Sequence, residues 1–199
     1  MDSRIKSVVF NEEAHKYWFT NSEGKHIELY GITGAIGKLT GKGFPDTDIV
    51  KVKTLYGSDV HKEVENYYNN NSGILSSESA KWVVQTLEDF NMNNCERNKQ
   101  KTECEVMVSD FEGTASKVDV VCHAKDGAYL FDIKTTTHFD RPYCSLQLSV
   151  YKKLYEENYG EKVLGMFVLG TKARRLFKIL EQDKNKVDKI LCMNRAKTI

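Results

Sequence analysis

One strand-like stretch of the sequence carries an acid and a lysine two residues apart. In YLFDIKT, residues 129–135, Asp132 and Lys134 interrupt an otherwise apolar run. Because successive side chains of a β-strand point to opposite faces, Asp132 and Lys134 would share one face while Ile133 points to the other. A carboxylate is costly to bury without a partner. The pattern therefore predicts a structural ion pair, acid–base chemistry or a cation site.

A second carboxylate is expected near this strand. Asp119 lies among apolar residues in SKVDVVCHA, residues 116–124, and the intervening KDG is typical of a tight hairpin turn. Antiparallel pairing about this turn would place Asp119 opposite Lys134, within one or two residues. Two carboxylates and one amine would then converge. Carboxylate oxygens suit a hard cation such as Mg²⁺ or Mn²⁺.

The surrounding elements predict a mixed α/β fold in which helices cover a sheet. The first 40 residues have the pattern of strands and turns, with a hairpin turn at NSEGK. Three- and four-residue spacing of apolar side chains predicts a helix over about 49–68 with a break at Gly57. Further helices and strands follow in the order helix, three strands, helix, two strands and helix, at residues 76–92, 103–111, 116–124, 127–136, 142–158, 163–170, 174–180 and 183–193.

Composition limits the classes of protein that fit. A chain of 199 residues with 40% hydrophobic and 29% charged residues is typical of one globular domain rather than a disordered chain. No apolar run is long enough to span a bilayer, and the first residues lack a signal peptide's apolar core. We therefore expect a cytoplasmic protein without a membrane partner, in the host-cell cytoplasm if it is viral. A net charge of +1 means that a nucleic-acid surface would be a local patch.

The cysteines argue against a metal site made of thiolates alone. The chain has five cysteines, an odd number, and none forms a CxxC pair. This pattern is typical of free thiols in a reducing compartment. Zinc sites built only from cysteine require closer ligand spacing.

Two helical motifs extend the pattern around the strand. YGSDVHKEVE, residues 56–65, contains Gly57 and His61 four residues apart. SLQLSVYKKLY, residues 145–155, contains Gln147 and Tyr151, one helical turn apart. With Asp119 and the FDIKT strand, these motifs resemble the PD-(D/E)XK nuclease superfamily, in particular its RecB-like, phage-type exonuclease branch.

The N-terminal segment also resembles phage-type members of this branch. In FNEEAHKYWFTNSEGKHIELYGITGAI, residues 10–36, His15, Tyr17 and Ile32-Thr33 stand where those proteins have a His-x-Tyr and a Val-Thr stretch. The resemblance covers roughly residues 9–155. It implies a restriction-endonuclease-like α/β core, a mixed central sheet flanked by helices, with an N-terminal β-hairpin extension. Residues 1–199 would form one nuclease domain, with the extension at 1–45 and the core at 46–199.

The resemblance also implies a catalytic centre with one or two Mg²⁺ or Mn²⁺ ions. The metal ligands would be His61, Asp119, Asp132 and the backbone carbonyl of Ile133. Lys134 would orient or activate the attacking water and stabilise the developing charge. The catalytic set would comprise Asp119, Asp132, Lys134 and a glutamate of the preceding strand. We favour Glu105 over Glu103 there, because it lies deeper in the strand. The imidazole ligand favours Mn²⁺ over Mg²⁺.

Substrate contacts are expected on both sides of this centre. Gln147 and Tyr151 would support Lys134 or contact the DNA backbone. Lys172, Arg174 and Arg175, in TKARRLFK, form a candidate phosphate-binding patch, although charges that guard a sheet edge give the same pattern. Some RecB-like nucleases hold an iron–sulfur cluster with three cysteines near the C-terminus. Here only Cys192 lies there, so we expect no cluster.

The implied function is metal-dependent hydrolysis of DNA, by an exonuclease of recombination, repair or replication. The sequence contains no Gly-x-x-x-x-Gly-Lys loop, so any unwinding would need a partner protein. Two alternatives stay open. A nucleic-acid-binding module on the same fold would not cut, and this would fit one departure from the family pattern: Ser116 or Lys117 stands where a glycine is usual before Asp119. The other is a His-type RNA or DNA endonuclease.

Overall fold

The computed structural model describes residues 1–12, 14, 16–41, 48–70, 73–95 and 101–197, with the backbone alone for 48–54. His15 of the leader motif lies outside these residues. So does the expected boundary between the N-terminal extension and the core, at 45–46. None of the helices in the described ranges has the length and apolar character needed to cross a membrane.

The N-terminal extension is a three-stranded antiparallel sheet that follows a short 3-10 helix, Ser3–Ser7. Its strands are β1 (Val8–Asn11), β2 (Lys16–Thr20) and β3 (His26–Leu29), paired in that order. The turn predicted at NSEGK joins β2 to β3, where the Asn21 side chain accepts hydrogen bonds from the backbone of Glu23 and Lys25. The predicted hairpin is therefore confirmed and extended by one strand.

The next element corrects the sequence prediction. Residues Ile32–Thr40 form helix α1, where strands and turns were expected. Ile32, Ala35 and Ile36 are fully buried at helical spacing, so α1 is held by packing against the core. Three glycines in and before this helix weaken its propensity, which explains why the local sequence does not predict it.

Two helices then run before the main sheet. Helix α2 spans Asp48–Asn69 without the break predicted at Gly57. Gly57 instead permits close packing, since a Cβ atom there would lie 3.1 Å from Thr135 Oγ1. Helix α3 spans Glu78–Asn94 and is capped as predicted, because Ser77 Oγ accepts a hydrogen bond from Ala80 N at 3.1 Å.

The main sheet has five strands in sequence order. They are β4 (Lys101–Ser109), β5 (Ala115–Ala124), β6 (Gly127–Lys134), β7 (Val163–Gly170) and β8 (Arg175–Ile179). Neighbouring strands are antiparallel except β6 and β7, which are parallel and joined through helix α4 (Arg141–Tyr159). Helix α5 (Lys184–Arg195) follows β8. The expected mixed α/β fold, with a mixed sheet flanked by helices and an N-terminal β extension, is confirmed.

Helices cover both faces of the main sheet, and each face has its own apolar core. The α4 face packs Leu130, Val168 and Leu148 together with residues of α1 and α5. The α2 face packs Phe131 and Leu169, among others, against α2 and α3. The alternation of β6 between these cores fixes which way each polar residue of YLFDIKT points.

Candidate functional site

The regular alternation of strands β4 and β5 breaks at one level of the sheet. On β4, Cys104 packs in the α2-face core but Val106 packs in the α4-face core, although residues two apart normally share a face. Between them, Glu105 has a left-handed backbone, with φ of 55°. The two valines that flank Asp119 on β5 divide between the cores in the same way. The paired register passes from Cys104 with Val120 to Val106 with Val118 and omits Glu105 and Asp119 between them, so the irregularity is shared by both strands.

Asp119 also marks the point where β5 and β6 separate. The backbone pairing of these strands runs no further than Val120 with Phe131. Beyond it, Asp119 Oδ2 accepts a hydrogen bond from Ile133 N at 2.7 Å. If the register continued by one more residue, Asp119 would lie beside Asp132. This position is two residues from Lys134, the predicted neighbour, and so within the stated range of the prediction. The carboxylate of Asp119 thus takes the place of a backbone carbonyl as the acceptor for Ile133 N, where β5 and β6 separate.

His61 of α2 completes a cluster with the two irregular strands. Its Nδ1 lies 3.7 Å from Asp119 Oδ2 and 4.0 Å from Glu105 Oε1. Candidate ligand atoms of His61, Glu105 and Asp119 all lie within 4.8 Å of one another. His61 Nε2 donates to the carbonyl of Ile133 at 3.2 Å. The carbonyl expected as a metal ligand therefore orients the imidazole in this structure.

Asp132 and Lys134 lie on the α4 face, as the strand alternation predicts. Asp132 is 1% exposed. Lys134 Nζ donates to Asp132 Oδ1 at 2.9 Å and lies 2.8 Å from Oδ2. Oδ2 is buried and accepts no hydrogen bond in the described part of the chain, so the ammonium of Lys134 is the charge beside it. Lys134 thus balances the charge of the buried carboxylate.

Gln147 and Tyr151 of α4 contact Lys134 through a chain of buried side chains. Lys134 donates to Gln147 Oε1 at 3.3 Å, and Gln147 Nε2 donates to Tyr151 OH at 3.1 Å. Ser116 Oγ donates to the same phenol at 3.3 Å. Gln147 and Tyr151 are almost fully buried, so their contacts fix the ammonium of Lys134 rather than face solvent.

The two candidate glutamates of β4 contact different partners. Glu105 enters the cluster, whereas Glu103 pairs with Lys101 and lies 3.4 Å from His123 Nε2. The sequence placed both glutamates on one face of a regular strand. The positive φ at Glu105 breaks that relation, and it is why only one of the two reaches His61.

The charges of the cluster perturb one another. Burial lowers the pKa of His61, but the carboxylates of Asp119 and Glu105 outweigh it and raise that pKa to about 9. Burial raises the pKa of Asp119 to about 6, with Asp132 and Glu105 acting in the same direction against His61. For Lys134, burial acts to lower the pKa, yet the Asp132 carboxylate raises it above its ordinary value. Three crowded carboxylates thus favour added positive charge.

We expect the contributions of Asp119 and His61 to the stability of the metal-free protein to fall as the pH rises across these windows. Both shifted groups bind protons more tightly when folded. Each group's contribution to stability is fully present below its pKa in the unfolded chain and is lost as the pH rises through its pKa in the folded protein. For Asp119 these pKa values are 3.8 and about 6, and for His61 they are 6.5 and about 9. Each 1 kcal/mol corresponds to roughly 2–4 °C in Tm for a chain of this size. Thermal unfolding in EDTA would measure the fall, and His61→Gln should flatten the upper window. Parallel profiles for both proteins would contradict it.

One contact that no sequence motif predicts holds the strand beside Glu105. Asn69, the last residue of α2, donates from Nδ2 to Cys104 O at 3.0 Å and accepts from Cys104 N at 3.1 Å through Oδ1. Its amide thus pairs with the edge strand β4 as a neighbouring strand would. A lone asparagine at a helix end gives no signal of this role, because the contact depends on how α2 lies along β4.

Asn69→Ala is expected to destabilise the protein by about 1–2 kcal/mol, since both backbone groups of Cys104 lose a partner at a partly buried edge. Because Cys104 precedes the strained Glu105, the affinity of the cluster for Mn²⁺ should fall as well. Urea unfolding and isothermal titration with Mn²⁺ would measure the two effects. Asn70→Ala, one residue further along and exposed, is the control. If both variants behave as the wild type, β4 does not need this contact.

The basic patch lies at the same end of the sheet as Lys134. Thr171 N donates to Lys134 O at 3.0 Å, which ties the β7–β8 turn to the end of β6. Lys172 Nζ lies 4.8 Å from the centre of the Tyr56 ring, and Arg174 lies 3.9 Å from Glu78. Arg175 lies 5.3 Å from the Phe177 ring. Arg141, which lies outside the predicted patch, is 5.2 Å from the centre of the same ring.

The cluster opens into a cleft of about 810 Å³ between the main sheet, α2 and the N-terminal sheet. Its wall includes His61, Glu105, Asp119 and Lys134, whereas Asp132 is buried and does not line it. The N-terminal extension supplies three of the lining residues, which are Phe10, Glu12 and Tyr17. The extension therefore forms part of the candidate site.

Comparison with known proteins finds likenesses among solved structures only. No protein-family model matches the sequence, and no match was found among curated proteins. Among solved structures, a candidate exonuclease from Eubacterium rectale is similar, with a TM-score of 0.42 and 17% sequence identity over 84% of this chain and 77% of that chain.

Proposed function

We propose that the protein is a divalent-metal-dependent nuclease that hydrolyses DNA phosphodiester bonds. One observation carries the proposal: an imidazole and two carboxylates, from His61, Glu105 and Asp119, converge beside the buried pair of Asp132 and Lys134. An ordinary structural ion pair would not require a strained glutamate and a histidine from another element at the same point. Perturbed, converging titratable groups in a cleft are characteristic of functional sites.

The donor set fits Mg²⁺ or Mn²⁺. Carboxylate oxygens suit these hard cations, and the buried Oδ2 of Asp132, 2.8 Å from the ammonium of Lys134, accepts no hydrogen bond among the described residues. His61 donates Nε2–H to a backbone carbonyl, which leaves Nδ1 directed towards the acids. This arrangement is common for metal-binding histidines. We propose that His61, Glu105, Asp119 and Asp132 hold the ion, and that the imidazole favours Mn²⁺.

The protein side chains would complement the ion. A bound divalent ion lowers the pKa of a coordinated water and neutralises charge on a phosphate. Lys134, whose pKa is raised by the Asp132 carboxylate, is an ammonium at neutral pH. It therefore supplies positive charge to the developing phosphorane rather than accepting a proton. Gln147 and Tyr151 hold Lys134 in place, which limits the reorganisation needed during the reaction.

DNA would approach across the basic end of the sheet. Lys172, Arg174 and Arg175 lie beside the end of β6, and Arg141 adds a fourth cation there. Lysine and arginine contacts to phosphates supply affinity without sequence preference. A free DNA end, a RecB-like exonucleolytic mode and a recombination or replication partner protein are proposed from the family resemblance. So are a single nuclease domain and action in the cytoplasm, of a host cell for a phage protein.

Cleavage of end-labelled DNA would test the proposal. Linear and circular substrates, single- and double-stranded, would be incubated with Mg²⁺, Mn²⁺ or EDTA. We expect metal-dependent loss of linear DNA, faster with Mn²⁺, and intact circles. Cutting of circles would identify an endonuclease instead. Binding without cutting in either metal would overturn the enzyme proposal and favour a nucleic-acid-binding module on the same fold.

A further inference from the structure

We propose that Lys117 is a substrate-binding residue, whose ammonium binds a backbone phosphate of the DNA once a metal ion has occupied Glu105. This inference rests on the proposed function for the identity of the anion. It assigns a role to a residue that stands near the place where the family pattern has a glycine. The role also connects the N-terminal extension to the catalytic cluster.

The position of Lys117 places a second ammonium in the cleft. Lys117 lies on β5, two residues before Asp119, and lines the cleft. Its Nζ lies 3.5 Å from Glu105 Oε2 and 4.7 Å from the centre of the Phe10 ring on β1. The side chain is 23% exposed, so it is partly shielded from water but open to a ligand in the cleft. Shielding of this kind strengthens a charge–charge contact.

The two oxygens of Glu105 face different partners. Oε1 lies on the side of His61, at 4.0 Å, and Oε2 lies on the side of Lys117. Because Glu105 also belongs to the candidate metal cluster, a divalent ion and Lys117 compete for the same negative charge. An ion on Glu105 leaves the ammonium with the Phe10 ring and no other carboxylate pairing among the described residues. A half-buried ammonium without a counter-charge favours the binding of an anion.

Lys134 differs from Lys117 because a second polar side chain holds its ammonium. Gln147 Oε1 accepts a hydrogen bond from Lys134 on the α4 face, in addition to the contact with Asp132. Lys117 has a single carboxylate partner in the described structure, and that partner is the one shared with the metal cluster. Metal binding and DNA binding are therefore coupled through Lys117, and the coupling must act equally in both directions.

DNA binding separated from cleavage would test the proposal. Fluorescence anisotropy with a short labelled DNA would be measured in Ca²⁺, with the DNA checked for integrity on a gel, over a series of salt concentrations. Lys117→Gln should lower affinity about tenfold and reduce the slope of log K against log salt by about 0.7–0.9, the value for one phosphate contact. Lys117→Arg should keep the slope. Lys153→Gln, another half-buried lysine paired with a glutamate, is the matched control.

A metal-free experiment tests the release of Lys117 by Glu105. In EDTA, Glu105→Gln should increase DNA affinity, because Lys117 then lacks its carboxylate partner. The gain should disappear when Lys117 is absent: the double variant Glu105→Gln/Lys117→Gln should bind DNA no more tightly than Lys117→Gln alone. If the gain persists there, it reflects only the removal of a negative charge, and the proposal is wrong.

The outcomes separate this proposal from the nuclease proposal. A wild type that binds DNA but does not cut overturns only the nuclease activity, and the binding data still decide the role of Lys117. A wild type that cuts, with unchanged affinity and salt slope in Lys117→Gln, overturns the role of Lys117 alone. A wild type that binds no DNA in Ca²⁺ overturns both. Thermal unfolding of each variant checks that the fold is retained.

Discussion

Asparagine in place of Asp132 is expected to reduce metal-dependent DNA cleavage by about 1,000-fold or more, because an amide cannot replace the anionic oxygen that a divalent ion requires. Asp132 is 1% exposed and its Oδ2 is otherwise without a hydrogen-bond partner in the described chain. The substitution also leaves Lys134 without its carboxylate. Stability should therefore fall, on the order of 3 kcal/mol for loss of one member of a buried pair. Initial cleavage rates would measure the loss of activity, urea unfolding the loss of stability, and calorimetric titration the weaker binding of Mn²⁺.

A buried aspartate outside the cleft provides the control for this prediction. The side chain of Asp110 is 2% exposed and pairs with Arg195, while its Oδ1 accepts hydrogen bonds from the backbone of residues 112–114. Asp110→Asn should lower stability through this turn and leave the activity per folded molecule unchanged. Equal loss of activity in both variants would mean that Asp132 acts through the fold rather than at a metal site.

The polar face of β6 could be predicted because it depends only on the alternation of side chains along the strand and on the adjacent turn. Alternation along YLFDIKT places Asp132 and Lys134 together, and the Asp-Gly turn fixes the approximate register of Asp119. Both features depend on neighbours within about fifteen residues. The order of the helices and strands after residue 48 is predictable for the same reason, since apolar spacing and capping residues mark each element.

The rest of the site depends on contacts that no local pattern encodes. A positive φ at a non-glycine residue has no signal in the sequence, so the departure of Glu105 from the face of Glu103 could not be read there. The close approach of α2 to the loop after β6 explains Gly57 only once both elements are in place. Lys117 and Asn69 acquire their roles in the same way, through an irregular strand and a helix end.

Glutamine in place of Lys134 is expected to reduce cleavage by about 100- to 1,000-fold, because it removes a fixed positive charge from the site of phosphoryl transfer. Metal binding should survive. The Asp132 carboxylate then lacks its ammonium, so the metal-free variant should be less stable than the wild type, and a divalent ion should replace the missing charge. The increase in Tm on addition of Mn²⁺ should exceed that of the wild type.

This larger thermal shift distinguishes the catalytic interpretation of Lys134 from a structural one. If Lys134 served only to neutralise Asp132, an ion that restores stability would also restore activity. If it supplies charge to the reaction, stability returns and cleavage does not. Lys134→Arg keeps the charge in a different shape and should retain more activity than Lys134→Gln. Wild-type cleavage rates in Lys134→Gln, or a smaller Mn²⁺-induced shift than in the wild type, would refute the catalytic role.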